Sequence, residues 1–353
     1  MLDKRFGRRQ VLRSTAAAAG AVLAAPLVGR TAFGQGKIEK PKVVLAVGGK
    51  SALYYLALTI AEKRGYFKDE GLDMEINDFA GGSRSLQALV GGSADVVAGA
   101  YEHTIRMQAR GQEVQSFALI GRGMQIAIGL VKAKADQVKS AKDVKGMKFG
   151  VSAPGSSTHM LLTYWTAQAG LKATDTAAIG VGAGASVVAA VTQGEIDGVS
   201  QTDPAVTMLE QSGAIKVVVD TRTMKGNMDV FGGPLPAASL YSTAEFVKKN
   251  PNTVQAMANA IVRADKWLQT AKPEEVADTV PEAYLLGDRK LYMKAFENVR
   301  DVMSPDGLMP ANGPETCLKF LTTSDPNIKG DTIDLKRTWT NEFAQRANAK
   351  YKS

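Results

Sequence analysis

The chain has 353 residues with 43 basic and 35 acidic side chains, and Cys317 is its single cysteine. The first 34 residues hold six of the basic side chains and one acidic one, which leaves a net charge of only +3 on the rest. This small, dispersed excess excludes a nucleic-acid-binding surface. One cysteine excludes an internal disulfide and a multi-cysteine metal site, so we expect a buried, inert thiol.

The N-terminus has the pattern of an export signal over residues 1–34. A basic stretch from Lys4 to Arg13 precedes a short alanine-rich apolar run, and Ala32-Phe33-Gly34 offers the small residues of a cleavage site. Arg8-Arg9 is typical of a twin-arginine signal, although Gly7 stands where Ser or Thr is usual, and an ordinary secretory signal stays open. Either signal predicts a freely soluble periplasmic protein, because no cysteine lies near the cleavage site to carry a lipid.

A strand–loop–helix unit follows the export signal. The β-branched run from Val43 to Val47 predicts a buried strand, Gly48 to Ser51 interrupts it, and an amphipathic helix runs from Leu53 to Arg64. The alternating segment from Leu72 to Ile76 predicts a half-buried second strand, which leads into a glycine loop at residues 80–83.

The sequence of residues 82–97 is similar to that of residues 184–199. Glycine, alanine, glycine, aspartate and valine occupy the same five places in both copies, so that Gly92 corresponds to Gly194 and Asp95 to Asp197. In each copy a helix-like stretch ends at a glycine, which adopts the left-handed conformation without a Cβ clash. The repetition predicts two similar lobes with a ligand cleft between them.

The second lobe begins in the same manner, with a strand at 147–151, a loop at 152–158 and a helix at 159–169. A strand at 215–219, a Gly/Pro-rich crossover at 232–236 and a long helix after Pro251 follow. The prediction is a two-lobed α/β fold in which each lobe is a mostly parallel sheet flanked by helices. Lobe 1 would span residues 37–128 and 232–353 and lobe 2 residues 129–231, with hinges near Gly129 and Gly232-Gly233.

Four loops at the carboxyl ends of the predicted strands form the candidate binding site, at residues 48–54, 81–85, 154–159 and 182–186. Their backbone N–H groups and the adjoining helix N-termini favour a small anionic ligand. Ser156-Ser157-Thr158 fits either an anion nest or a plain N-cap. The candidate ligand-binding residues are Lys50, Ser51, Tyr54, Gly82, Ser83, Tyr101, Ser156, Ser157, Thr158, Gly184 and Asp203.

Four side chains near these loops have more than one interpretation. Adjacent helical positions diverge by about 100°, so one of Tyr54 and Tyr55 should face the cleft while the other points elsewhere. Arg84 could pair with the anion, but we expect it to extend into solvent. His159 could donate to the anion, but a histidine beside a cap is more often a packing or surface residue.

Motifs for catalysis are absent from the sequence. It has no Gly-x-Ser-x-Gly elbow, no His-Glu-x-x-His helix and no Walker loop, and it has only two histidines. We therefore expect a binding protein with no catalytic residue, no cofactor and no metal ion.

Residues 61–75, the Gly81-Gly82-Ser83 loop and residues 88–96 resemble a known group of solute-binding proteins. These serve the nitrate, sulfonate and taurine ABC importers, of the SsuA/THI5-like and NMT1-like kind, and include pyrimidine-precursor binders. Residues 333–343 are similar too, so the resemblance spans nearly the whole mature chain. It implies a type II periplasmic-binding fold that closes on a small anion, sulfonate or carboxylate, and docks on a membrane permease. We expect a monomer.

The same superfamily contains enzymes, which are the alternative. They are sulfinate desulfinases with a catalytic cysteine near the first loop, and pyrimidine synthases that bind pyridoxal phosphate on a lysine. Here the first loop has no cysteine and the cysteine-rich motif of the synthases is missing, but Lys50 keeps the synthase alternative open. A ligand-sensing receptor is a further alternative.

Overall fold

Two five-stranded sheets organise the chain in the computed structural model, which describes residues 36–352. The predicted export signal therefore lies outside the described residues. The strands are β1 Lys42–Gly48, β2 Asp73–Phe79, β3 Val96–Ala100, β4 Val114–Leu119, β5 Ile126–Val131, β6 Lys148–Val151, β7 Ala177–Gly180, β8 Gly198–Thr202, β9 Ile215–Asp220 and β10 Ala238–Thr243.

Helices cover the sheets and make up most of the C-terminal third. They are α1 Leu56–Lys63, α2 Tyr66–Asp69, α3 Gly82–Val90, α4 Glu102–Gln108, α5 Lys132–Ala135, α6 Ser157–Gln168, α7 Ala185–Thr192, α8 Ala205–Gln211, α9 Met224–Phe231, α10 Ala244–Lys249, α11 Pro251–Thr270, α12 Pro273–Thr279, α13 Arg289–Val299, α14 Gly313–Ser324 and α15 Glu342–Lys350.

Each sheet contains one antiparallel strand that arrives by a crossover from the other sheet. The first sheet has the order β2-β1-β3-β10-β4, and β10 is antiparallel to both of its neighbours. The second has the order β7-β6-β8-β5-β9, and β5 is antiparallel to β8 and β9. The chain thus crosses between sheets at residues 120–125 and 221–237. We call the first sheet with its helices lobe 1 and the second lobe 2; the predicted two-lobed α/β fold is confirmed.

The sequence repeat has the same structure in both lobes. Gly92 and Gly194 follow α3 and α7 with φ of 74° and 72°, as the predicted left-handed positions require. Asp95 Oδ2 accepts the amide of Val44 at 2.9 Å, and Asp197 Oδ2 accepts the amide of Lys148 at the same distance. The repeated aspartate therefore fixes the first residues of β1 and β6, which are the strands that carry the cleft loops.

The long helix α11 begins at Pro251 as predicted and packs against α1 and α15. Its apolar face, which includes Val254, Met257 and Ile261, is buried in the core. Proline suits the first helical position because its missing N–H would have no helical partner there. Cys317 on α14 is buried, and burial raises the pKa of its thiol well above the ordinary value, as expected for an inert side chain.

The predicted hinge near Gly129 is wrong, because this residue lies inside β5. Gly129 pairs with Val199 on one side and Val217 on the other, and a Cβ there would lie 2.7 Å from Ile215 Cδ1. This glycine is explained by close packing. The chain passes between the sheets a few residues earlier, while Gly232 does lie in the second crossover.

The C-terminal segment joins the lobes by packing on both of them. Helix α14 packs on α6 of lobe 2, where the rings of Tyr164, Phe231 and Phe320 form a cluster with centroids 5.1–5.6 Å apart. Helix α13 packs on α8 of the same lobe. One hydrophobic core therefore contains side chains of both lobes and of the C-terminal segment.

Candidate functional site

A small cavity lies where the two lobes meet. Its lobe 1 wall comprises Gly48, Ala52, Tyr54, Tyr55 and Gly82. Its lobe 2 wall comprises Ile126, Ser152, Ser156, Ser157, Thr158, Ala183 and Thr202. The free volume is 30 Å³, which is room for about two water molecules. Five of the predicted ligand-binding residues, Tyr54, Gly82, Ser156, Ser157 and Thr158, are brought together here.

Hydrogen bonds connect the two lobes directly across the cleft. The amide of Ser83 donates to Ser156 Oγ at 2.9 Å, and the two hydroxyl oxygens lie 3.2 Å apart. Ser83 Oγ donates to the carbonyl of Pro154 at 2.9 Å, and Arg106 Nη1 donates to the carbonyl of Gly155 at 2.7 Å. The structure is therefore a closed one. We call the Ser83–Ser156 pair the interlobe clasp.

The N-terminus of α6 faces the cavity. Ser156 occupies its N-cap position, but the side chain does not cap the helix because its hydroxyl belongs to the clasp. Thr158 Oγ1 accepts the amide of Ser152 at 3.0 Å, which fixes it against the end of β6. The amides of Ser157, Thr158 and His159 have no hydrogen-bond partner among the described residues. The positive end of a twelve-residue helix is thus free to hold an anion.

Both tyrosines line the cavity, so the prediction that only one of Tyr54 and Tyr55 faces the cleft is wrong. They lie in a 3₁₀ turn before α1 rather than in a regular helix, and their rings meet edge to face with centroids 4.9 Å apart. The Tyr54 hydroxyl is buried near Ser157 and forms no hydrogen bond of acceptable geometry with any described residue. Burial raises the pKa of both phenols, so both remain protonated donors at neutral pH.

Three predicted ligand residues lie at the mouth of the cleft, outside the cavity. A Cβ on Gly184 would lie 3.0 Å from Ser51 Oγ, so these two residues face each other across the opening. Lys50 Nζ forms an ion pair with Glu62 at 2.7 Å, which directs its amine toward α1.

Tyr101 and Asp203 are also buried away from the cavity surface. The Tyr101 hydroxyl lies 2.6 Å from Thr338 Oγ1, a residue of the C-terminal segment. Asp203 Oδ2 lies 3.6 Å from Arg222; burial raises the pKa of this carboxyl, and the guanidinium opposes the shift. The carbonyl of Asp203 accepts the amide of Leu53 at 2.9 Å, so this residue contributes to closure through its backbone.

Two further residues behave as the sequence predicted. Arg84 is exposed and its guanidinium contacts only Gln87 among the described hydrogen-bond partners. His159 Nδ1 accepts the amide of Gly155 at 3.0 Å, so it stabilises the loop before α6 instead of facing the cavity. Burial, with a contribution from Arg106, lowers the pKa of this imidazole and keeps it neutral.

Sequence reasoning missed Ser152 and Thr202. Both stand at the carboxyl ends of strands, directly after β6 and as the last residue of β8. That position is a usable signal, because ligands of open α/β sheets bind at these ends.

No group of three or more His, Cys, Asp or Glu side chains within residues 36–352 is placed to hold a metal ion. In that same part of the chain, no helix combines the length and apolar character needed to cross a membrane.

Comparison with known sequences identifies related chains. The profile of the NMT1-like family matches residues 36–281. YtlA of Bacillus subtilis, whose name describes a binding protein, is 23% identical over 267 residues, covering 73% of this chain and 76% of YtlA. A 4-amino-5-hydroxymethyl-2-methylpyrimidine phosphate synthase of Schizosaccharomyces pombe is 30% identical over 158 residues, which is 44% of each chain.

Comparison with solved structures gives the same fold. A protein from Bordetella bronchiseptica RB50 has a TM-score of 0.89 and 53% identity, covering 90% of this chain and all of that one. The alkanesulfonate-binding protein SsuA of Xanthomonas axonopodis, bound to MOPS, has a TM-score of 0.66 and 17% identity over 85% of this chain and 98% of its own. The periplasmic nitrate-binding protein NrtA of Synechocystis has a TM-score of 0.65 and 18% identity, covering 89% and 90%.

Proposed function

From the fact that the chain belongs to the NMT1-like family and has a periplasmic-binding-protein fold, we propose that it is the substrate-binding protein of an ABC importer. Its ligand would be a small organic anion, a sulfonate or carboxylate, bound with the lobes farther apart than in this closed form, whose cavity of 30 Å³ is too small for it. One observation carries this proposal: the unpaired amides and the hydroxyls at the start of α6 face a cavity enclosed by both lobes. Such a site stabilises a bound anion without any cationic side chain.

The proposed setting is the periplasm, where the protein would act as a monomer and deliver its ligand to a membrane permease. The export pattern in residues 1–34 supports this location. The name of one structural neighbour supports it as well, since NrtA is described as periplasmic. A sensing receptor would use the same cleft. Uptake of the bound compound should fall in a strain lacking the gene, whereas unchanged uptake with altered gene expression would favour sensing.

An enzyme of the pyrimidine-synthase type is the second candidate, because the fission-yeast synthase matches part of the chain. Lys50 is the residue that kept this alternative open, yet its amine is paired with Glu62 and lies outside the cavity. Binding without transformation is therefore the better-supported activity. Recovery of the bound compound unchanged after long incubation agrees with it. An absorbance band from pyridoxal phosphate on Lys50, or a chemically altered compound, would favour the enzyme.

The test is a thermal-unfolding screen of residues 35–353 with sulfonates, carboxylates, nitrate and pyrimidines, each beside a neutral compound of similar shape. Ethanesulfonate, for example, is paired with ethyl methyl sulfone. A ligand that binds only the folded chain raises its unfolding temperature. We expect the anions alone to do so. Equal shifts from the neutral partners would contradict anion capture.

A variant carrying Ser156→Ala, Ser157→Ala and Thr158→Ala locates the site within the cleft. It should lose most of the shift, because each hydrogen bond to a charged group contributes about 1.5–3 kcal/mol. Ser324→Ala is the control. It removes a buried serine bond of 2.7 Å within α14, away from the cavity, and should leave the shift unchanged.

A further inference from the structure

The loop before α6 is held by lobe 1 at three successive residues. Ser83 donates through its hydroxyl to the carbonyl of Pro154 and through its amide to Ser156 Oγ, both at 2.9 Å. Arg106 Nη1 donates to the carbonyl of Gly155 at 2.7 Å. A change in the conformation of this loop therefore acts directly on the closed form.

His159 holds the same loop from within lobe 2. Its Nδ1 accepts the amide of Gly155 at 3.0 Å, so Gly155 lies between an imidazole of lobe 2 and a guanidinium of lobe 1. Gly155 has φ of 82°, which glycine adopts without strain. The imidazole accepts this amide only while Nδ1 carries no proton, because both ring nitrogens are donors in the protonated form.

The charge of Arg106 opposes protonation of His159 when the lobes are together. Burial first, and then the Arg106 guanidinium, lowers the pKa of this imidazole. Arg106 lies on α4 of lobe 1 and His159 on α6 of lobe 2, so opening of the cleft separates the two positive charges. The open form therefore binds the proton more tightly than the closed form does.

Charged groups on the neighbouring elements do not cancel this effect. Glu102 Oε2 lies 3.6 Å from Arg106 Nη1, yet among the described residues Arg106 is the only charged side chain that contributes to the lowered pKa of His159. Strands β5 and β8 pack on α6 and carry no charge. The other titratable groups on elements packed against α6 are Glu315, Cys317 and Lys319 of α14, Lys142 and Asp143 of the 3₁₀ turn Ala141–Val144, and Asp175 of the turn Ala173–Asp175.

We propose that His159 is an acid-sensitive latch, in which uptake of a proton at Nδ1 releases the amide of Gly155 and opens the cleft. At neutral pH the imidazole carries no charge and keeps the loop in place for Arg106 and the clasp. As the pH falls through the ordinary histidine pKa of about 6.5, the open form takes up the proton first and the balance moves toward it. The latch acts on the unliganded chain and goes beyond the proposed function.

His103, the other histidine of the chain, does not fit this role. It lies on α4 in the same lobe as Arg106, so opening of the cleft does not separate the two. Its side chain is 0% exposed, and its Nδ1 forms a 2.8 Å hydrogen bond with the Tyr241 hydroxyl. His103 is therefore the matched control for His159.

Hydrogen exchange of the Ser83 amide in unliganded residues 35–353 measures the open fraction. Ser156 Oγ is the only partner of this amide among the described residues, so the amide is protected while the lobes are closed. Exchange is compared at about pH 7.5 and about pH 5, a range in which histidine is the side chain that ordinarily titrates. After division by the intrinsic rate at each pH, protection should be at least about 5-fold lower in acid, the lower end of typical coupling between two sites. Amides of the central strand β3 should show no such drop.

Three variants assign the drop to a residue. His159→Asn keeps an acceptor near the position of Nδ1 and cannot take up a proton, so its Ser83 protection should be equal at the two pH values. Arg106→Gln removes the charge across the cleft and should make the drop smaller. His103→Asn should keep the wild-type drop, because it leaves both His159 and Arg106 in place.

Each outcome bears on the latch. Equal protection of the Ser83 amide at the two pH values in the wild type overturns it, and so does a full drop in His159→Asn or, if that variant does not fold, in Arg106→Gln. A drop shared by the β3 amides would reflect loss of overall stability and overturn it as well. Loss of the drop in His103→Asn would overturn the assignment to His159. Anion capture is decided separately, by the thermal screen.

Discussion

Replacement of Ser156 by alanine removes the interlobe clasp and should open the cleft. Ser156 is 2% exposed, and its hydroxyl oxygen accepts the Ser83 amide at 2.9 Å and lies 3.2 Å from Ser83 Oγ. Each lost hydrogen bond contributes about 0.5–1.5 kcal/mol, so the two together hold the closed form by about 1–3 kcal/mol. A change of that size raises the ratio of open to closed molecules roughly 5- to 150-fold.

Small-angle scattering of the unliganded chain measures this opening as an increase in the radius of gyration. A double-mutant cycle with Ser83→Ala isolates the contact between the two hydroxyls, because alanine keeps the backbone amide that donates to Ser156, and the two substitutions should not be additive for that contact. Ser324→Ala should lower stability without changing the radius. Identical scattering of Ser156→Ala and wild type, or full additivity with Ser83→Ala, would refute the reasoning.

Three other substitutions test the surrounding packing and electrostatics. Burial raises the pKa of Asp265 well above its usual range, so the folded chain keeps a proton that the unfolded chain releases. The wild type therefore loses stability as the pH rises, and Asp265→Asn should not. The difference in unfolding free energy between them, measured by chemical unfolding, should grow by at most about 1.4 kcal/mol per pH unit. Gly48→Ala should prevent folding, seen by circular dichroism, because its Cβ would lie 2.2 Å from the Gly81 carbonyl carbon. Arg222→Met leaves Asp203 buried without its cation and should cost about 3–5 kcal/mol of unfolding free energy.

The sequence was sufficient for features whose causes are local. Glycines after α3 and α7, the repeated aspartates and the position of Pro251 each follow from the conformational preferences of a few neighbouring residues. The serines before α6 were found because hydroxyls at a predicted helix start have few other roles. Their clasp with Ser83 was not predicted, because it joins residues 73 positions apart.

Features that depend on distant packing escaped sequence reasoning. The Gly/Pro-rich crossover predicted that the chain returns to lobe 1 after residue 232, but no local pattern indicates that β10 then lies antiparallel between β3 and β4. Tyr101 faces the C-terminal Thr338, a contact across 237 positions.

The central claim is that the ligand is held between the lobes, and a reversible cross-link tests it most directly. Ser83→Cys with Ser156→Cys places two thiols where the hydroxyl oxygens are 3.2 Å apart, within reach of a disulfide. Cys317 is buried and should not interfere. If the disulfide is formed before the variant meets the best-binding anion of the screen, the variant should not bind that anion. If the disulfide is formed after the anion has bound, the variant should retain the anion until a reductant is added. Binding and release at wild-type rates by the oxidised protein would contradict capture in the cleft.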